Sequence, residues 1–292
     1  MSRPEIRIEK ASAMGFCSGV RRAVTVLERA AETGGPLQTL GPAVHNRPVV
    51  DRLALLGVTV APSPDKITGS RAAIPSHGAS PEVTAELTKR AVQVVDATCP
   101  IVHRAQLAAQ QLGKEGFLVV VFGDAEHPEV RGILGWAGPN SLAARDVLPL
   151  KKLAKWPRKI GVVAQTTQSS GAFRQFVKDL LDLARSRFNE IRVVNTVCEV
   201  THRQQEAASK LAKHVDLMLV VGGTTSSNTR RLAESCEAAG AETRRIETAD
   251  EIEASWLQGK KSVGVTAATS TPEWSIDEVI ARIQELSRQD NP

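Results

Sequence analysis

The sequence predicts an α/β protein of two or three modules, each built on a small parallel sheet. Apolar runs of strand length alternate with amphipathic stretches of helix length along nearly the whole chain. Its 292 residues exceed one ordinary unit of about 100–150 residues. Three cysteines, Cys17, Cys99 and Cys198, stand far apart, each where an apolar run gives way to a helix-like one, so each suits a separate module.

The first strand is expected at Ile6–Ala11, followed by helices over Val20–Glu32 and Pro48–Leu56. A strand at Ala72–Pro75 leads to a helix over Pro81–Arg90, with Ser80 as N-cap and Pro81 in the first turn, where its missing N–H costs nothing. Val92–Ala97 is a strand, Ile101–Lys114 a helix, and Phe117–Phe122 the longest apolar run and a strand. His127-Pro128-Glu129 again puts proline at a helix start. Strands at Ile160–Ala164 and Ile191–Val197 flank a helix over Gly171–Ser186. Helices over Thr201–Val215 and Asn228–Ala239 bracket the strand Leu217–Val221. The strand Val263–Ala267 precedes a last helix over Ile276–Arg288, for which Ser275 and Glu278 form a capping box. Such alternation implies βαβ units with right-handed crossovers.

Composition narrows the class. Aromatic residues make up 3% of the chain and tyrosine is absent, which disfavours nucleic-acid binding by base stacking. The net charge of +5 is spread among both signs and reads first as a solvated surface; a preference for anionic substrates or an acidic electron-transfer partner is the second reading. The opening MSRPEIRIEK lacks an apolar signal core, and no apolar run is long enough to span a bilayer, so a cytoplasmic protein without membrane contact is expected. Four cysteines in a chain of this length suit reduced thiols or metal ligation better than a disulfide framework.

Cys17 lies in a glycine-flanked turn, GFCSGV; Cys99 ends VVDATCP and Cys198 ends VVNTVC, each opening a helix. A helix N-terminus lowers a thiol pKa and favours the thiolate a metal needs. Three thiolates would leave one iron of a cluster without a protein ligand. Cys236 falls on an apolar helical stripe with Leu232 and Ala239 and reads as core. Cys99 with His103, and Cys198 with His202, offer a weaker zinc alternative. His45, His77 and His127 each sit in a loop at a strand end beside glycine or proline, a pattern suited to convergent imidazolium donors for an anion. The segment Gly222–Asn228 and the trio Thr269-Ser270-Thr271 follow strands and offer backbone, hydroxyl and amide donors for phosphate, without a Walker A or GxGxxG pattern. Glu129, two residues after His127, is the candidate proton donor, and Gln165-Thr166-Thr167 offers a hydroxyl relay.

In order along the chain, GFCSGV, GPAVHN, SHG, DATCP, HPEV, QTT, NTVC, SSN and TSTP resemble the 4-hydroxy-3-methylbut-2-enyl diphosphate reductase family of the methylerythritol phosphate route to isoprenoids. The resemblance runs from Gly15 to Trp274. It implies three α/β modules, trefoil-like around a central cavity, at residues 16–97, 98–196 and 197–292, the last completed by an N-terminal strand within 1–15. It also implies a [4Fe-4S] cluster on Cys17, Cys99 and Cys198, and diphosphate contacts from His45, His77, His127, Ser226, Asn228 and Ser270, with Ser227 beside them. Glu129 matches the proton-delivery carboxylate and Thr166 the hydroxyl that positions the substrate alcohol. The implied reaction is two-electron reductive loss of water at the open iron, giving isopentenyl or dimethylallyl diphosphate, with ferredoxin or flavodoxin as electron donor. Ser76 stands where the family pattern leads one to expect alanine. Two other readings are a cluster-bearing redox sensor without substrate and a quinolinate-synthase-like dehydratase. The loop histidines and the SSN segment serve no purpose in the first, and a dicarboxylate substrate would distinguish the second.

Overall fold

The computed structural model describes residues 6–90, 92–185 and 187–289. Ser186, the expected end of one helix, lies outside them, as do residues 1–5 and 290–292 of the terminal segments. The chain begins with strand β1 (Arg7–Lys10) and helix α1 (Ser18–Gly34). Then follow β2 (Leu37–Leu40), α2 (Arg47–Leu55), β3 (Val58–Ala61), β4 (Arg71–Ile74), α3 (Pro81–Lys89) and β5 (Gln93–Asp96). The middle comprises α4 (Pro100–Lys114), β6 (Leu118–Phe122), α5 (Pro128–Ala137), β7 (Ser141–Ala144), α6 (Leu148–Lys151), β8 (Lys159–Ala164), α7 (Ser170–Ala184) and β9 (Glu190–Val193). The last third holds α8 (Glu199–Ala212), β10 (Leu217–Val221), α9 (Ser227–Ala238), β11 (Glu242–Ile246), β12 (Ser262–Ala267) and α10 (Glu273–Gln289).

These strands form three four-stranded sheets, ordered β3-β2-β4-β5, β7-β6-β8-β9 and β1-β12-β10-β11. Every recorded strand pairing is parallel. The α/β class read from the sequence is therefore the observed one. All three sheets share one permuted order, second-first-third-fourth, when β1 is counted after β12. The order reverses between β2 and β4, β6 and β8, and β10 and β12. At such a reversal the departing loops diverge and leave a crevice at the carboxyl ends of the strands. The fourth strand of each sheet, β5, β9 or β1, runs into Cys99, Cys198 or Cys17.

Chain contacts define two compact units: one drawn from residues up to Arg21, Val44–Arg52 and Glu199 onward, the other from Arg22–Ala43 and Leu53–Cys198. Both faces of the central strands are covered, as parallel sheets require. In the second unit Leu118, Val120 and Phe122 pack with Phe173, Phe176 and Leu180 of α7. Their neighbours Val119 and Val121 face Ala105, Ala109 and Leu112 of α4 and Ile133 of α5. In the first unit Leu217, Leu219 and Val221 meet Val279 and Ile283 of α10, while Met218 and Val220 meet Ala208, Leu232 and Cys236. Burial pushes the Cys236 thiol up to about 12, in keeping with a core side chain.

The strands that sequence patterning passed over are β2, β3, β7 and β11. LQTL, VTVA, SLAA and ETRRI lack a continuous apolar run. Three of them are sheet edges, where one ladder face needs no partner strand. The expected strand Ile191–Val197 stops at Val193, because a side chain replaces the backbone ladder beyond it. The capping box expected at Ser275 does not form. Helix α10 starts three residues earlier than expected, at Glu273 just after Pro272, which leaves Ser275 inside the first turn and buried.

Candidate active site

In the unit holding β6–β9, the loop after β6 ends in His127, which caps α5, and its Nδ1 accepts the Glu129 N–H at 3.2 Å. Accepting there places the ring proton on Nε2. This cap, with Pro128 fixing the first turn, aims Glu129 inward, where it is 3% exposed. One carboxylate oxygen accepts the Thr166 N–H at 2.6 Å and the other accepts the Thr166 hydroxyl at 3.0 Å. Burial nevertheless prevails over those bonds and pushes the Glu129 carboxyl up to about 7. A group with that pKa holds or releases a proton near neutrality.

Thr166 also presents its carbonyl to the Cys198 N–H at 2.8 Å. Cys99 is half-buried at the N-cap of α4, with the backbone N–H groups of Ile101 and Val102 near enough to favour its thiolate. The helix start was expected to lower this thiol's pKa. Burial instead raises it, the charges of nearby Cys198 and Glu129 add to the rise, and the two N–H donors only partly offset it. Cys99 therefore lies within electrostatic reach of both Cys198 and Glu129. His77 is buried in the loop after β4, and its Nδ1 donates to the Gly78 carbonyl at 3.2 Å. Ser76 adds a bond of its own, its hydroxyl donating to the Ala43 carbonyl at 2.9 Å.

The unit holding β10–β12 and β1 gathers a different set. Cys17 follows a turn at Gly15, whose φ of +74° suits glycine, and the Cys17 N–H donates to Thr269 O at 3.3 Å. The Cys17 sulfur accepts the Val20 N–H at 3.3 Å from the first turn of α1. Ser226 caps α9 by accepting the Thr229 N–H at 3.2 Å, and Ser227 and Asn228 fill its first turn, all three buried. Asn228 Nδ2 lies 3.4 Å from Thr269 Oγ1, and its buried Oδ1 has no hydrogen-bond partner among the described residues. Ser270 donates to the His45 carbonyl at 3.2 Å. A side chain at Gly223 would sit 2.2 Å from that same carbonyl, so glycine is what lets the two loops meet. Burial pushes the His45 imidazole down, so the imidazolium expected there is disfavoured.

The histidines of a zinc alternative are engaged elsewhere. His103 Nδ1 lies 3.3 Å from Gln106 Oε1, and His202 Nε2 3.3 Å from Glu206. Among the described residues no group of three or more His, Cys, Asp or Glu side chains is arranged to hold a single metal ion. A groove of about 770 Å³ in the second unit, lined in part by Thr84, Val94, His103 and Trp136, includes none of the three expected cluster cysteines, the diphosphate contacts, Glu129 or Thr166. Sequence reasoning missed Thr196, whose buried hydroxyl bonds both the N–H and the carbonyl of Ala164. A threonine in a strand-like run gives no outward sign of such a role. Among the described residues, no helix is long and apolar enough to cross a membrane.

The model of the LytB protein family matches residues 8–284. This chain belongs to that family. The LytB chain is 45% identical over 282 residues to a protein of Dehalococcoides mccartyi strain CBDB1 named 4-hydroxy-3-methylbut-2-enyl diphosphate reductase, covering 97% of this chain and 99% of the relative. A protein of the same name from Geobacter sulfurreducens is 45% identical over 287 residues, covering 97% and 99%. Among solved structures, the E-1-hydroxy-2-methyl-but-2-enyl-4-diphosphate reductase of Plasmodium falciparum superposes on the LytB chain with a TM-score of 0.88 at 25% identity, covering 96% of this chain and 88% of that one. A second, described as the terminal enzyme of the non-mevalonate pathway, gives 0.66 at 38% identity, covering 96% and 99%.

Proposed function

We propose that this chain reduces 4-hydroxy-3-methylbut-2-enyl diphosphate to isopentenyl and dimethylallyl diphosphate with the help of a [4Fe-4S] cluster on Cys17, Cys99 and Cys198. Near full-length relatives carrying that reductase name support the substrate. The observation that carries the reading is the buried Glu129 carboxyl, bonded twice to Thr166, whose carbonyl accepts the Cys198 N–H, and within charge range of Cys99. The donor set fits a cluster. Each cysteine is half-buried and directly precedes a helix, the Val20 N–H of α1 donates to the Cys17 sulfur, and the Ile101 and Val102 N–H groups of α4 favour the Cys99 thiolate. Such donors stabilise sulfur that carries negative charge. A cluster also spreads its ligands more widely than a single ion does, so the lack of a one-ion site does not count against it.

When bound, the cluster supplies electrons and a Lewis-acidic iron for the substrate's alcohol. The chain's own residues do the rest. Thr166 positions that alcohol, and Glu129 holds the proton that turns its hydroxyl into water. His45, His77, His127, Ser226, Asn228 and Ser270, with Ser227 adjacent, grip the diphosphate. His127, with its proton on Nε2, is already set as a donor. Ser226–Asn228 open α9, whose first-turn N–H groups favour anions. The protein acts in the cytoplasm and takes electrons from ferredoxin or flavodoxin, acidic carriers suited to a net charge of +5.

Titrating anaerobically purified protein with the allylic diphosphate and following the cluster's spectrum tests the proposal. A saturable shift together with turnover is expected. A cluster blind to the diphosphate would mark an electron carrier instead, and a shift only with a dicarboxylate would mark a different dehydratase.

A further inference from the structure

Beyond Val193 the chain leaves its β ladder but keeps in step with β8. The Val194 N–H donates to Val162 O at 2.8 Å, and the Cys198 N–H donates to Thr166 O at 2.8 Å. Between them the rung at Ala164 is made by a side chain. Thr196 Oγ1 accepts the Ala164 N–H at 2.8 Å and donates to Ala164 O at 2.5 Å. The hydroxyl is enclosed, Thr196 being 0% exposed. The next N–H, of Val197, turns back to Asn195 Oδ1 at 3.1 Å and takes no part in the ladder.

Thr166 is thereby held from two sides. Its N–H and hydroxyl go to Glu129, and its carbonyl goes to Cys198. Residues 162, 164 and 166 of one segment match 194, 196 and 198 of the other, and the middle match depends on one hydroxyl. We propose that Thr196 is a positioning residue that sets the register between Cys198 and the Glu129–Thr166 pair; this rests on the roles proposed above for Cys198, Glu129 and Thr166. Valine would fill the same volume but leave a buried N–H and carbonyl without partners, so the segment would shift to satisfy them. Serine keeps the rung.

The test compares wild type with Thr196→Val, Thr196→Ser and Thr196→Ala in the full chain. Amide hydrogen exchange reads the rung itself: the Ala164 amide should stay protected in wild type and Thr196→Ser and exchange at least ~10-fold faster in the two hydroxyl-less variants. After cluster removal, iodoacetamide alkylation of Cys198 relative to Cys99 should change at least ~3-fold in Thr196→Val and Thr196→Ala and stay at the wild-type ratio in Thr196→Ser. In the cluster-loaded protein, kcat should fall ~10-fold or more in Thr196→Val with KM within ~3-fold of wild type, and Thr196→Ser should restore it. Thr196→Ala carries the comparison if Thr196→Val does not fold. Equal Ala164 protection in all variants, an unchanged alkylation ratio, or a serine variant as impaired as valine would each overturn the proposal. If wild type itself fails to reduce the diphosphate, the functional reading falls, while exchange and alkylation still judge the register.

Discussion

The sheet β7-β6-β8-β9 and the sheet β1-β12-β10-β11 share one strand order but put opposite chemistry at their carboxyl ends. After β6 and β8 come Glu129 and Thr166, a buried carboxyl held by an N–H and a hydroxyl. After β10 and β12 come Ser226, Ser227, Asn228 and Ser270, all buried, neutral and rich in donors. The first corner is suited to keeping a proton and the second to receiving an anion. The shared topology supplies the crevice, and the few residues leaving each strand decide its use.

The largest effect separates both corners from the metal. Replacing Cys99 with serine should abolish iron binding and turnover together, as measured by iron and sulfide content and by rate; normal turnover would exclude the cluster assignment. The next prediction sets the corners against each other. Glu129→Gln should lower kcat by roughly 10²-fold or more while leaving the cluster spectrum and KM near wild type. Asn228→Ala should raise KM by about tenfold with kcat nearly unchanged, the cost of one lost bond to a charged group. If the two variants exchanged signatures, the division of labour would be wrong.

A pH effect follows from the raised Glu129 carboxyl. The folded protein keeps the proton up to about 7, whereas an ordinary glutamate loses it near 4.5. The contribution of the neutral carboxyl to stability is complete below 4.5 and is lost as pH climbs to about 7. Melting curves should therefore show wild type falling relative to Glu129→Gln across that window, and kcat should decline above about 7 in wild type only. Parallel curves would remove Glu129 as the titrating group. The smallest effect is expected at Ser76→Ala, which removes one half-exposed bond to Ala43 and should cost about 0.5–1.5 kcal/mol by denaturant melts with little change in kcat.

Much of this was legible in the sequence because the relevant signals are local. Continuous apolar runs gave β6, β10 and β12, and Ser80-Pro81 and His127-Pro128 marked two helix starts. The cysteines, loop histidines and hydroxyl segments were visible as residue types at strand ends. What stayed hidden depends on burial and partners. No pattern tells that burial outweighs helix N–H donors at Cys99, or that His45 is driven toward its neutral form. The short strand β2 has a polar core-facing residue, Thr39, so it shows no continuous apolar run. The rung at Thr196 joins residues 32 apart, beyond the reach of any periodicity.

The most direct test of the whole account is Mössbauer and EPR spectroscopy on anaerobically purified, reduced protein, before and after addition of 4-hydroxy-3-methylbut-2-enyl diphosphate. A four-iron cluster with one distinct iron, whose signal alone shifts with the diphosphate, is the predicted result. Zinc in place of iron, or four equivalent irons that ignore the diphosphate, would contradict it.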